Sequence, residues 1–114
     1  MNSTSNKRTL IVYLLIGGMF LIFASYRYAE SIEIPFRTCL FQTLLMGLTF
    51  IGDGIRIKNK SKFRALFIFE AGLFTCAAIL LFLNQCLNIV SGYLVVFALG
   101  VMIIANGIYR YTIT

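Results

Sequence analysis

Residues 9–26 contain no charged side chain, and Lys7 and Arg8 stand directly in front of them. Extended to residue 28, the run is about 20 residues, or about 30 Å as a helix, which is the thickness of a bilayer's hydrocarbon core. Three further apolar stretches follow. A basic start before an apolar run is also how a cleaved signal peptide begins. Here the run is long for a signal, and Ile22 before Ala24 is a poor cleavage pattern, so a retained span is the reading adopted. Composition agrees: 60% of the chain is hydrophobic and 12% is charged, against about 25% charged in soluble domains. We therefore expect an all-α integral membrane domain with four transmembrane helices, arranged as two repeated helical hairpins.

The boundaries expected are a tail at 1–8, spans at 9–28, 36–57, 63–83 and 89–109, and a basic loop at 58–62. Pro35 suits the opening of the second span, since its ring presets a helical φ and its missing N–H is not needed there. Tyr26 and Tyr28 fit an interfacial belt. The basic segment packs Arg56, Lys58, Lys60, Lys62 and Arg64 into nine residues, half of the chain's ten Lys and Arg. With Arg110, these cations are candidates for pairing with carboxylates or with anionic lipid headgroups. Alternate loops place Lys7, Arg8, the basic segment and Arg110 on one side, with only Arg27 and Arg37 on the other. Short positively charged loops stay cytoplasmic, so both termini are expected to be cytoplasmic, in a multi-pass protein of the cell membrane. The segment holding Glu30 and Glu33 and the polar break at 84–88 then face outward.

The net charge of +6 in a soluble chain would suggest nucleic acid. Here the cations cluster at the ends of apolar runs, so no nucleic-acid partner is expected; the partners expected are anionic lipid and a second copy or another membrane subunit. Histidine is absent, and the three cysteines are scattered, so neither a metal nor a cofactor is expected. No nucleophile has a base in a recognisable motif, so no catalytic residue is assigned and the chain reads as a non-enzyme.

Glu70 lies about seven residues, or about 10 Å, into the third span. A carboxylate at that depth is costly unless protonated, paired or facing water, and an intramembrane acid is by default a functional hypothesis. Pairing with Arg56, Arg64 or Arg110 is the structural alternative. Asp53 lies one turn inside the end of the second span, three residues from Arg56 on the same helical face, so a local pair is expected. Asp53, Glu70 and Asn106 together make the candidate proton or ion site, opening to the cytoplasm. Four spans form a thin bundle, and burying these groups is expected to need a homodimer or a second subunit. Gly72 and Cys76 form a small-x-x-x-small pair, expected to pack against protein. Cys39 and Cys86 both fall near the outer surface, where a disulfide between them would be permitted.

The two halves match where each hairpin ends: Gly47, Gly54, Ile55 and Arg56 against Gly100, Gly107, Ile108 and Arg110, with Asp53 falling on Asn106. The period of about 53 residues suits a two-helix unit. Looser matches join Gly18-Met-Phe20 to Gly72-Leu-Phe74. This pattern resembles the short-repeat membrane family that includes the HdeD-type acid-resistance proteins. The resemblance implies a multi-span inner-membrane protein linked to acid or envelope stress. The chain departs from it in lacking an outer-loop proline in the second hairpin and in having four spans where six are common. Two functions follow from the sequence: a non-enzymatic scaffold, stress-associated or complex-forming subunit, and a small proton- or cation-coupled transporter, working as a homodimer with Glu70 as its coupling carboxylate.

Overall fold

The structure is a computed structural model that describes residues 2–32, 34–56, 60–87 and 91–113, with side chains between residues 7 and 112. Four helices follow one another: α1 (Asn2–Ala29), α2 (Phe36–Ile55), α3 (Lys60–Phe82) and α4 (Gly92–Ile113). All four are long and apolar enough to cross a membrane. They form a bundle of 45 × 25 × 17 Å, so its long axis exceeds the hydrocarbon thickness of about 30 Å.

Several helix ends run further than the sequence suggests, whereas α2 stops at Ile55, short of the expected 57, because Arg56 caps it, and α4 begins at Gly92 rather than at 89. The tail expected at 1–8 is helical from Asn2. No Gly or Pro interrupts residues 2–8, and an existing helix extends at one hydrogen bond per residue fixed. For the same reason α3 starts at Lys60 rather than at 63, and α4 continues beyond Arg110. The polar break expected at 84–88 instead carries α3 onward as one π-helical turn, Leu83–Leu87. Asn88, at the end of that expected break, lies outside the described residues, as do Glu33, Ile57, Lys58 and Asn59.

The ends are capped in identifiable ways. After α1, the Ile32 N–H donates to the Arg27 carbonyl at 2.9 Å and that of Ser31 to the Tyr28 carbonyl at 3.1 Å. This is the Schellman arrangement, and Ser31 takes the left-handed position at φ 56° that glycine usually fills. Pro35 stands at the N-cap of α2, where its carbonyl accepts from the N–H groups of Thr38 and Cys39. Ser91 caps α4, its Oγ accepting from the Leu94 N–H at 3.4 Å.

Packing crosses between hairpins. The broadest contact joins α1 to α4; α2 lies against α3 and α4, α3 lies against α4 within its own hairpin, and α1 meets α2 mainly through the Tyr13 side chain. Gly17 and Gly100 bring α1 and α4 together, since a Cβ on either would come within 2.8–2.9 Å of the other's carbonyl oxygen. Gly107 makes room for the Tyr13 ring, and Gly92 for the carbonyl of Ile34. The core holds Tyr13, Met46, Phe50, Leu99 and Ile103, while Leu15, Ile22, Phe41, Ile51 and Ile68 face outward. A helix that is apolar on its outer side as well as its inner side is suited to lipid.

Buried positions recur at a fixed offset. Cys39, Thr43, Met46, Phe50, Asp53 and Gly54 are buried in α2, and 53 residues on Gly92, Val96, Leu99, Ile103, Asn106 and Gly107 are buried in α4. Tyr13, Gly17 and Ala24 of α1 correspond in the same way to the buried Leu66, Glu70 and Ala77 of α3.

The face of α3 expected to pack against protein does not do so within the chain. Gly72, Thr75, Cys76 and Ala78 are all exposed, and a Cβ on Gly72 would meet nothing within 4 Å. Ala77 and Leu81, on a different side of the helix, are the buried residues there. The inner side of α3 is instead made by Leu66, Glu70, Ala77 and Leu81, with Leu73 partly buried among them.

Candidate functional site

Each helix sends one or two polar side chains into a common cluster: Tyr13 from α1, Asp53 from α2, Glu70 from α3, and Asn106 and Arg110 from α4. All five are buried, Asn106 completely and the others to within 8% exposure. Helical spacing explains the pair from α4, since residues 106 and 110 are one turn apart on one face. Two linked sets result. Arg110 Nε forms an ion pair with Asp53 Oδ2, which also accepts from the Tyr13 hydroxyl at 3.3 Å. Asn106 Nδ2 donates to Glu70 Oε2 at 2.8 Å. Asp53 Oδ1 and Asn106 Oδ1 are buried without a hydrogen-bond donor among the described residues.

The cluster therefore unites Asp53, Glu70 and Asn106, as expected, but changes their partners. Arg56 does not pair with Asp53; it is exposed and its N–H closes α2 on the Asp53 carbonyl. A side chain three residues away on the same helix leaves the bundle at its end, whereas Arg110 approaches from within it. Arg110, a candidate for lipid headgroups, is 6% exposed and committed to the bundle. Glu70 meets an amide in Asn106 where an arginine was the alternative. Lys60 and Arg64 are exposed and Lys62 half-buried, and Lys58 lies outside the described residues. One chain is enough to bury the cluster, so the thin-bundle argument for a second copy fails.

The disulfide considered between Cys39 and Cys86 is not formed, and all three cysteines are free. Cys39 is fully buried, with its thiol 3.9 Å from the Gly92 carbonyl, while Cys86 is exposed on the π-helical turn. Among the described residues no three His, Cys, Asp or Glu side chains gather as metal ligands would.

Tyr13 is the member that sequence reasoning missed. Its signal was present: between Leu10 and Ala24 it is the one polar side chain in an otherwise apolar run. Its deep position, away from the interfacial Tyr26 and Tyr28, marks it as a residue needing a partner in the bundle.

Two cavities flank α2. A cleft of about 430 Å³ between α1 and α2 is lined by Arg8, Tyr13, Gly52, Asp53 and Arg56, and so runs from exposed cations to the cluster. A larger groove of about 720 Å³ lies between α2 and α3. Phe50, Phe63, Phe67 and Phe74 line it with Leu, Ile and Gly, and Glu70 is its one ionisable residue.

Comparison of the chain with protein-family profiles, with curated proteins and with solved structures finds no match.

Proposed function

We propose that this is a small membrane carrier that exchanges a proton or cation at Glu70. The observation that carries the reading is the unequal treatment of two buried carboxyls. Asp53 is matched by a guanidinium and a phenol, whereas Glu70 has a neutral amide as its described partner. A fixed ion pair gives Asp53 a structural part. An acid whose hydrogen-bond partner is an amide, with the Arg110–Asp53 pair acting on it through space, can exist in either protonation state. Asn106 serves both states: its Nδ2 donates to the carboxylate, and a half-turn of the amide offers Oδ1 to the hydroxyl of the acid.

The frame for this carrier is two copies of a helical hairpin related by an axis along the membrane normal. The shared burial pattern at an offset of 53 residues supports it, and so does the contact between Cys39 and Gly92, which occupy equivalent places. Two equivalent residues touch where such an axis passes between them. The distribution of Lys and Arg supports both termini facing the cytoplasm, in the cell membrane of a cell whose inner membrane this would be. That orientation puts the cleft lined by Arg8 and Arg56 on the cytoplasmic side, as an approach to the cluster.

The test is infrared spectroscopy of the protein in bilayers. A protonated-carboxyl band whose intensity follows pH, and which Glu70→Gln abolishes, is the expected result. A spectrum in which Glu70 never changes state, together with an unaffected variant, would overturn the carrier and leave the second reading. That reading is a scaffold or complex-forming subunit, favoured by the small-residue face of α3 around Gly72 and Cys76, which is open to a neighbouring helix. A homo-oligomer or a subunit of another kind would fit that face.

A further inference from the structure

We propose that the groove between α2 and α3 binds a monovalent cation with an apolar body, a hydrophobic amine or onium ion, whose charge lies against Glu70. The inference rests on the carrier reading above and names the class of its substrate.

Its dimensions exclude the larger occupants. The Phe74 ring rests on Gly47 and that of Phe63 lies 3.4 Å from where a Cβ of Gly54 would be, and the lining extends past both contacts, from Leu44 to Ile55 on α2 and from Phe63 to Thr75 on α3. Those stretches are about 16–18 Å of helix. A transmembrane helix of a second copy would need a seat of about 30 Å. The volume of about 720 Å³ instead falls in the range of about 300–1,000 Å³ usual for small-molecule sites.

Its lining excludes other small ligands. A bare metal ion needs several oxygen ligands, yet the one other polar side chain on the groove, Thr75, donates its hydroxyl to the Ala71 carbonyl at 2.8 Å. A lipid tail would cover the Phe and Leu walls but leave the carboxyl against hydrocarbon, and an anionic headgroup would meet a like charge. A cation with an apolar body satisfies both parts. Four phenylalanine rings supply faces for an onium group as well as apolar area, and Phe63 and Phe67 are stacked with centroids 6.1 Å apart.

The offset of 53 residues accounts for the difference between this side of the bundle and the other. At the corresponding place between α1 and α4, Gly17 abuts Gly100 and the helices close. The offset of 53 residues puts Glu70 where α1 has Gly17, and Phe74 where it has Leu21. The larger pair holds α3 away from α2.

Binding of such a cation and protonation of Glu70 exclude each other. The other titratable groups of the cluster, Tyr13 from α1, Asp53 from α2 and Arg110 from α4, are already engaged with one another. One proton therefore leaves Glu70 as one cation arrives, and the apparent affinity rises with pH, by at most about tenfold per pH unit for a single-proton exchange.

The experiment is binding of tetraphenylphosphonium to the full chain in nanodiscs, with proton release followed in weak buffer. Tetraphenylborate, of the same shape and opposite charge, controls for partition into lipid, and the infrared carboxyl band is recorded on the same samples. The expected result is saturable binding of the phosphonium alone, with release of up to one proton per cation bound. Glu70→Gln should weaken it by about tenfold or more, as loss of a desolvated charge partner does. Ala71→Phe, which adds a ring to an exposed position on the groove, should weaken it without changing the fold seen by circular dichroism. If Glu70 changes protonation state but the phosphonium does not bind, the inference falls and the carrier reading stands. If neither occurs, both fall. Binding that Glu70→Gln leaves intact would overturn the inference as well. So would an Ala71→Phe variant that alters the oligomeric state rather than the affinity, because the groove would then be a seat for a second copy.

Discussion

At the scale of single residues, the Asp53–Arg110 pair and the Glu70–Asn106 pair should respond differently to substitution. Arg110→Ala leaves Asp53 buried with only the Tyr13 hydroxyl, and removing one member of a buried ion pair costs about 3–5 kcal/mol. We expect the loss as a fall in the unfolding midpoint in detergent micelles, with part of it recovered in the double variant Asp53→Asn with Arg110→Gln. Tyr13→Phe removes one hydrogen bond to a charged acceptor, about 1.5–3 kcal/mol by the same measurement. Ser31→Gly should act in the opposite sense. Ser31 holds a left-handed φ of 56°, which costs a non-glycine residue about 1 kcal/mol or more, so the glycine variant should unfold at a higher temperature. Glu70 was legible in the sequence because a lone acid in an apolar run has few innocent explanations. The partner of Asp53 was not. Arg56 is close in sequence and Arg110 is 57 residues away, and which of them turns inward depends on how α2 meets α4. Asn106 could be connected to the site only through the repeat, since a single amide in a span carries no signal of its own.

At the scale of helices, the glycines divide by what stands opposite them. Gly100 faces the Gly17 carbonyl and the Leu21 side chain, so Gly100→Ala must push α1 from α4 and should cost about 1–3 kcal/mol, as overpacking does. Gly72→Ala adds a methyl to open space and should be neutral or stabilising by up to about 1 kcal/mol through helix propensity. Resistance to unfolding by a denaturing detergent would rank the two. The sequence marks Gly72 as a packing residue because spacing reveals a face but not what lies against it. Four helices were legible, for apolar length is a direct physical requirement of a bilayer. Their ends were harder to place. Polar residues such as those at 2–8 and 84–87 are compatible with helix once a neighbouring turn is formed, and periodicity carries little weight at a frayed end.

At the scale of the whole molecule, the proposed orientation has its own check. Cys86 is exposed on the turn assigned to the outer side, while Lys60 is exposed at the start of α3 on the cytoplasmic side. A membrane-impermeant maleimide applied to intact cells should label Cys86, and should reach a cysteine placed at Lys60 only after the cells are opened. The reverse pattern would invert the topology. The pairing of helices was the least legible property of the chain. Nothing in hydropathy distinguishes a hairpin whose helices stand apart, as α1 and α2 do, from one whose helices pack together, as α3 and α4 do. That choice lies with Gly17, Gly100 and Gly107, whose small size matters only once the bundle is formed.

That α1 meets α2 mainly through one side chain, Tyr13, bears on how the protein is made. A ribosome delivers α1 first and α4 last, yet these two helices share the broadest surface in the bundle. Until α4 leaves the translocation machinery, α1 waits in lipid without its seat, Tyr13 has no guanidinium-bound carboxylate to meet, and Asp53 has no counterion. The contact of α2 with α3 can form earlier, but the seat of α1 and the counterion of Asp53 both wait for the fourth helix.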